Sequence, residues 1–195
     1  MISHTHRFIF VHVGRTGGST IERMAGIPLT DDPSTQRLGN TDFSDKHAGL
    51  QHYYSAFPEQ FRAYFKFTIV RNPFDRLHSA WHWRTRVVQD LRGIPLREFI
   101  DTRPPGYSFV ERFAVDGMSI TESGGLFDHI ARFENLAEEY SVLIARLGLP
   151  PGPPPHTNRT AAGDYRDAYD PQTVELVRRK FGRDLELFGY DFTAG

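Results

Sequence analysis

Two short stretches of this chain carry residue types and spacings suited to holding anions. The first is Gly14-Arg15-Thr16-Gly17-Gly18-Ser19-Thr20. Gly17 and Gly18 have no Cβ to keep a ligand away from their backbone amides. Ser19 and Thr20 add hydroxyl donors, and Arg15 adds a fixed positive charge. The second stretch is Arg71-Asn72-Pro73, with Ser79 eight residues after Arg71. An arginine and a serine in that position recruit a second anion rather than a metal ion. Two separate anion sites suit a ligand with two separated phosphate-like groups.

Both stretches sit where secondary structure changes. Phe8-Ile9-Phe10-Val11, continuing to Val13, is β-branched and aromatic, as in a strand buried on both faces. After the glycines, Ile21, Met24 and Ala25 recur at helical spacing. Strand, glycine-rich turn and helix together aim backbone N–H groups and the positive end of a helix at one point, which is a phosphate site. The pattern is not the Walker loop. Only three residues separate Gly14 from Gly18, and Ser19 stands where lysine is required. Phe65–Val70 is the second strand. A helix opening at Pro73 comes next, with Phe74, Leu77, Trp81 and Val88 on one side and Arg76, Ser79, Trp83 and Arg86 on the other. A P-loop kinase places an acidic residue at the end of its second strand to hold Mg²⁺. This chain has Arg71 there.

The remaining elements are short. Residues 1–6 read as a polar lead-in and 26–46 as loop. Pieces of helix are expected over 47–57, 59–65, 93–101 and 107–115, with loop over 117–125 and a strand over 128–133. Asn135 and Glu138 have the spacing of a capping box. Leu136, Tyr140, Leu143, Ile144 and Leu147 form the apolar stripe of the helix it opens, and Gly148 closes that helix. Leu149–Pro155 is a proline-rich rigid connection. Asp170-Pro171 starts a last helix buried through Val174, Val177, Phe181, Leu185 and Phe188, with Gly182 as an internal weak point. Strands alternating with helices indicate an α/β fold with a parallel sheet, whose ligands bind at the carboxyl ends of the strands.

Composition sets limits on the whole. The chain has 195 residues, 39% hydrophobic and 24% charged, the size and balance of one globular domain spanning 1–195. Its 16 phenylalanines suggest a well-filled core or an aromatic cleft. A net charge of −1 gives no strong pull toward nucleic acid or anionic membrane. The absence of cysteine excludes disulfides, thiolate metal sites and a thiol nucleophile. No run approaches the roughly 20 apolar residues of a membrane span, and no signal-peptide pattern precedes the first strand. A cytoplasmic enzyme is expected.

The segments FIFVHVGRTGGST, DKHAG, FKFTIVRNPFDRLHSAW, ARFENL, YRDAYD and DLELFGYDF together resemble the sulfotransferase superfamily, in particular its carbohydrate-type and bacterial family 2 branch. The resemblance implies a P-loop-like three-layer α/β/α domain with a central parallel sheet. It implies the donor 3′-phosphoadenosine 5′-phosphosulfate (PAPS), with adenosine 3′,5′-bisphosphate as product and no metal required. By the same resemblance Arg15, Thr16, Gly17, Gly18, Ser19 and Thr20 correspond to the 5′-phosphosulfate loop, and Arg71 and Ser79 to the 3′-phosphate element. Arg15 stands where lysine is usual, so it keeps the charge but not the point geometry. The acceptor is a hydroxyl-bearing small molecule or a glycan, with no nucleic-acid partner. Its identity and the oligomeric state are not legible.

Sulfuryl transfer to an alcohol needs cations on the leaving phosphate and a base on the hydroxyl. Among nine histidines, His47 matches the family's Lys-His-Ala segment, and its ordinary pKa suits that base. Arg15 is the catalytic cation, and Asp42 and Asp45 are alternative bases. His78 and His82 are spaced as a metal pair but lack a third ligand, so they read as a packed or surface pair. His12 reads as a core residue. The segment Arg132-Phe133-Glu134-Asn135 either caps the next helix or contacts the cofactor. Asn158-Arg159, before Tyr165 and Tyr169, either closes over the nucleotide or is surface loop. Trp81 reads as core, whereas Trp83 is a candidate for the acceptor cleft. Two other readings stay open: a nucleotide kinase or NTPase with a degenerate loop, and a nucleotide-binding protein without catalysis.

Overall fold

The computed structural model describes residues 1–19, 21, 35–36, 48–104, 107–118, 120, 125–149 and 163–193. By internal contacts the chain forms two compact units. Met1–Val70 with Arg112–Thr157 makes the first, and Arg71–Glu111 with Asn158–Gly195 the second.

The first unit holds a five-stranded sheet in the order β3-β1-β2-β4-β5. Its strands are β1 (Ile2–Ser3), β2 (Phe8–Val11), β3 (Thr35–Gln36), β4 (Phe65–Val70) and β5 (His129–Arg132). β2, β4 and β5 are parallel, with Val11 beside Thr68 and Val70 beside Arg132. β1 pairs antiparallel with both β2 and β3. The expected α/β class and its parallel centre are therefore found, with a mixed edge added. That edge lies in stretches read as lead-in and loop. A two-residue strand is too short to display alternation, although Ile2 and Ser3 are both fully buried.

All four residues of β2 are buried, as its unbroken apolar run requires. Phe10 stacks on Phe67 of β4 at 4.8 Å between ring centres, and Phe8 sits 5.6 Å from the same ring. Each such aromatic removed from water contributes about 2–3 kcal/mol. The Thr68 hydroxyl donates to the Val11 carbonyl at 2.8 Å. Two short helices, α1 (Leu50–Ala56) and α2 (Pro58–Ala63), precede β4, and Pro58 opens the second as it ends the first.

α6 (Leu136–Leu147) buries the five apolar residues expected of it against this sheet. Gly148 ends it in the left-handed conformation, with φ of 62°. The expected capping box is not made. Residues Phe133–Asn135 form a 3-10 turn, which leaves Asn135 at φ −113°, ψ 27° rather than in the extended geometry that aims a cap side chain. Glu139 ties the helix to β5 instead, accepting from the Arg132 amide at 3.1 Å and pairing with His129 Nε2 at 2.7 Å.

The second unit contains α3 (Pro73–Val87), α4 (Leu96–Asp101), the start of α5 (Phe109–Phe113) and α7 (Pro171–Phe188). Asn72 caps α3 by accepting from the Phe74 amide, with Pro73 in the first position. Asp170 caps α7 at the Thr173 amide, 2.6 Å away, ahead of Pro171. The weak point expected at Gly182 appears beside it, where Phe181 has a non-helical φ of −123° and kinks the helix. Lys180 closes the carboxyl end of α4 by donating to the carbonyls of Ile100, Asp101 and Arg103. No helix of the described residues is long and apolar enough to cross a membrane.

Asp184 interrupts the apolar stripe of α7 and is fully buried. Its carboxylate accepts from Ser108 Oγ at 2.7 Å and from the Phe109 and Val110 amides, each at 2.9 Å. It thereby satisfies the free amides that open α5. Arg76, also buried, donates to the Tyr107 carbonyl and lies 4.4 Å over the Phe109 ring. Burial lowers the pKa of Arg76, while Tyr107 and Asp184 hold it up. Asp184→Ala removes three hydrogen bonds to a charged acceptor and leaves a buried arginine without that counter-charge. It should destabilise the protein by about 3 kcal/mol or more, read as a lowered urea midpoint at unchanged slope. A loss under about 1 kcal/mol overturns this role for Asp184.

Candidate functional site

The glycine-rich loop comes directly after β2. Thr16 is buried and its hydroxyl donates to the Val13 carbonyl at 2.7 Å, closing the turn on itself. Arg15 has φ of 69° and Gly17 of 81°. Glycine adopts that region at little cost, whereas an arginine there stores roughly 1 kcal/mol or more of backbone strain. Gly18, Ser19 and Ile21 are helical. Strand and turn thus occur as the sequence predicts and a helix begins at Gly18, while Met24 and Ala25 lie outside the described residues; Arg15 and Ser19 are both partly exposed.

The glycines have a further reason to be glycine. A Cβ on Gly17 would lie 2.7 Å from Leu136 Cδ2 and 3.1 Å from Phe133 Cδ2. One on Gly18 would lie 2.2 Å from His12 Cδ2. Neighbouring side chains of the first unit already fill the space that larger residues would need. From the sequence, the glycines were explained by the approach of a ligand or by an ordinary turn between strand and helix, not by neighbouring side chains.

In the second unit, Arg71 is nearly buried just ahead of α3. Its Nε and Nη2 both reach Asp75 Oδ2, at 2.8 and 2.7 Å. Ser79 is buried on the second turn of α3. Asp75 was not singled out from the sequence, though its position four residues after Arg71 is the spacing of a helical ion pair.

His78 and His82 face each other on α3, with Nε2 atoms 3.1 Å apart and ring planes nearly perpendicular. One ring donates and the other accepts, so they form a packed pair. Among the described residues no group of three or more acidic or histidine side chains could hold a metal ion. Burial pushes His78 down to about 4; His82 and Arg71 push the same way, against Asp75 and Asp164. Burial, then Arg86, lowers His82.

Trp81 donates to the Ile94 carbonyl at 2.8 Å and packs on the second unit's core, as expected, while Trp83 is exposed. The Tyr165 and Tyr169 hydroxyls donate to the carbonyls of Phe192 and Phe74, and burial raises the pKa of Tyr169. His12 is buried and stacks on Phe10. Thr20, Asp42, Asp45, His47, Asn158 and Arg159 lie outside the described residues.

A model of the sulfotransferase family matches residues 1–105. That is more than half of the 195 residues, and it includes the loop, His47, Arg71 and Ser79. The chain belongs to the sulfotransferase family. Among solved structures it is similar in fold to a sulfotransferase from Alicyclobacillus acidocaldarius, at 16% identity and a TM-score of 0.51, over 96% of this chain and 97% of that one. Comparison with curated proteins gives no match.

The histidine pair sets a pH dependence. An unfolded chain protonates His78 near its ordinary 6.5, whereas the folded chain keeps it neutral down to about 4. The unfolded state therefore binds more protons between those values, so stability is fully present above pH 6.5 and declines as pH falls toward 4. His78→Gln should flatten that part of the decline, measured as urea midpoints at pH 7, 5.5 and 4.5. Parallel pH profiles for mutant and wild type would show that His78 does not carry it.

Proposed function

We propose that the protein is a PAPS-dependent sulfotransferase that moves a sulfuryl group to the hydroxyl of a small molecule or glycan. The observation that carries this reading is the pair of segments leaving two adjacent parallel strands. β2 leads into a cationic glycine-rich turn and helix, and β4 leads into Arg71 rather than an acidic residue. Because β2 and β4 run parallel in register, their carboxyl ends leave from one sheet edge. The residues suit a donor with two anionic groups: two guanidinium groups, serine hydroxyls and the amides of a turn entering a helix.

Bound PAPS supplies an activated sulfuryl group with a phosphate leaving group. On this reading Arg15 and the 16–20 segment bind the 5′-phosphosulfate, and Arg15 stabilises the charge that develops on the leaving oxygen. Arg71, held by Asp75, and Ser79 bind the 3′-phosphate. His47 takes the proton from the acceptor hydroxyl as the sulfur–oxygen bond forms. The family match and the fold likeness support the transferase class. The donor and these roles are the part to be tested.

Calorimetry should find binding of adenosine 3′,5′-bisphosphate without divalent metal, and much weaker binding of ATP with or without Mg²⁺. Tight Mg²⁺-dependent ATP binding would instead make the protein a nucleotide kinase or NTPase. Arg71→Ala should weaken the bisphosphate by roughly ten- to a hundredfold, the equivalent of losing one charge-assisted contact, with little effect on adenosine 5′-monophosphate. Equal loss of both ligands would assign Arg71 to the fold. Once an acceptor is in hand, His47→Ala should lower kcat by about a hundredfold or more while bisphosphate affinity stays near wild type. Near-normal turnover in that variant would move the base to Asp42 or Asp45.

A further inference from the structure

Between the sheet and the glycine-rich loop lies one buried side chain that the mechanism does not use. His12 comes directly after β2, is 3% exposed, and stacks on Phe10 with ring centres 5.4 Å apart and planes 14° apart. Phe10 in turn stacks on Phe67, at 4.8 Å and 13°. Three rings therefore stack in near-parallel pairs over one face of the sheet, from Phe67 on β4 across to Phe10 on β2 and on to His12 beyond its end. The column ends against the loop. The Cδ2 and Nε2 atoms of His12 lie 2.2 and 2.4 Å from where a Cβ of Gly18 would be. No real Cβ tolerates such a distance, so the imidazole edge and the Gly18 backbone are in direct contact. On the neighbouring residue, Leu136 and Phe133 occupy the corresponding space beside Gly17.

We propose that His12 is a positioning residue for the donor loop. Its ring, held by stacking on Phe10, fixes where the Gly17–Ser19 amides stand beyond the end of β2, and Gly18 is glycine because this ring occupies the place of its side chain. The inference rests on the reading of this loop as the donor site. A ring in a stacked column is stiff, because tilting it breaks contact with Phe10 on one side or overlaps Gly18 on the other. A small side chain at position 12 would let the loop settle toward the sheet, and amides displaced by about 1 Å lose much of their hold on an anion. The shape of the ring is what this role requires, so phenylalanine should replace histidine here and alanine should not.

The experiment is a double-mutant cycle with two readouts, thermal midpoint and affinity for adenosine 3′,5′-bisphosphate. His12→Phe should keep affinity within about threefold of wild type, whereas His12→Ala should lose tenfold or more while still unfolding cooperatively. Gly18→Ala should lower both midpoint and affinity, because its new methyl group meets the imidazole. Combining it with His12→Ala should recover part of each loss relative to Gly18→Ala alone. Affinity unchanged in His12→Ala overturns the positioning role, as does a double variant no better than Gly18→Ala in either readout. The second result would mean that the Gly18 methyl group collides with the ligand and not with His12. If wild-type protein fails to bind the bisphosphate, the donor reading and the positioning role fall together. The midpoints of the cycle then still report whether His12 and Gly18 are in contact, so the two failures are distinguishable.

Discussion

The parallel pairing of β2 with β4 is the constraint on which the rest of the first unit depends. Parallel neighbours cannot be joined by a tight turn, so a long connection separates Val11 from Phe65, and Thr35–Gln36 within it joins the same sheet as β3. The pairing places Phe8 beside Phe65, Phe10 beside Phe67 and Val11 beside Thr68. That register stacks the Phe10 and Phe67 rings and brings the Thr68 hydroxyl to the Val11 carbonyl. A slip of one residue would turn every side chain to the opposite face and break both contacts. Val11 ends β2 beside Thr68 and β4 runs two residues further to Val70, so the two parallel strands run out at the same end of the sheet.

Much of this was legible from local pattern. β2, β4 and the stripes of α6 and α7 are long enough for periodicity to show, and Gly148, Asp170 and Pro73 mark helix ends through backbone chemistry that needs no tertiary partner. Features that depend on distant residues were not legible. β1 and β3 are two residues long; β1 exists because β2 offers it an edge, and β3 because β1 does. Asn135 has the right neighbour for a capping box, yet the 3-10 turn before it sets a backbone geometry that the box cannot use. Asp184 did leave a trace, as a lone carboxylate between Phe181 and Phe188 on an apolar face. What it holds, residues 108–110, lies more than seventy positions away.

The same distinction applies to the site. The glycine-rich turn after β2 and the Arg71 that comes directly after β4 were readable because both are local patterns, and on the proposed reading anion binding is what restricts residue type there. The supporting contacts are matters of shape and showed weakly or not at all. His12 could be any buried aromatic as far as the sequence tells. Its meeting with Gly18 depends on how sharply the chain turns through Arg15 and Gly17, both at positive φ.

If Arg71 binds an anion as proposed, Asp75 is what makes a site there possible at a buried cation. A nearly buried guanidinium without a counter-charge is costly, and Asp75 offsets that cost in the protein without ligand, through Nε and Nη2. The carboxylate also repels an incoming phosphate, so part of the attraction of Arg71 is lost. What remains is a guanidinium held in one orientation by Asp75 before any ligand arrives. Preorganisation lowers the entropy lost on binding, and a planar fork fixed in place selects for the position of an anion more than for its charge. On the proposed reading, the 3′-phosphate element then contributes to recognising where the second phosphate stands on the nucleotide. On the same reading the bulk of the charge attraction falls to Arg15 and the amides of the loop.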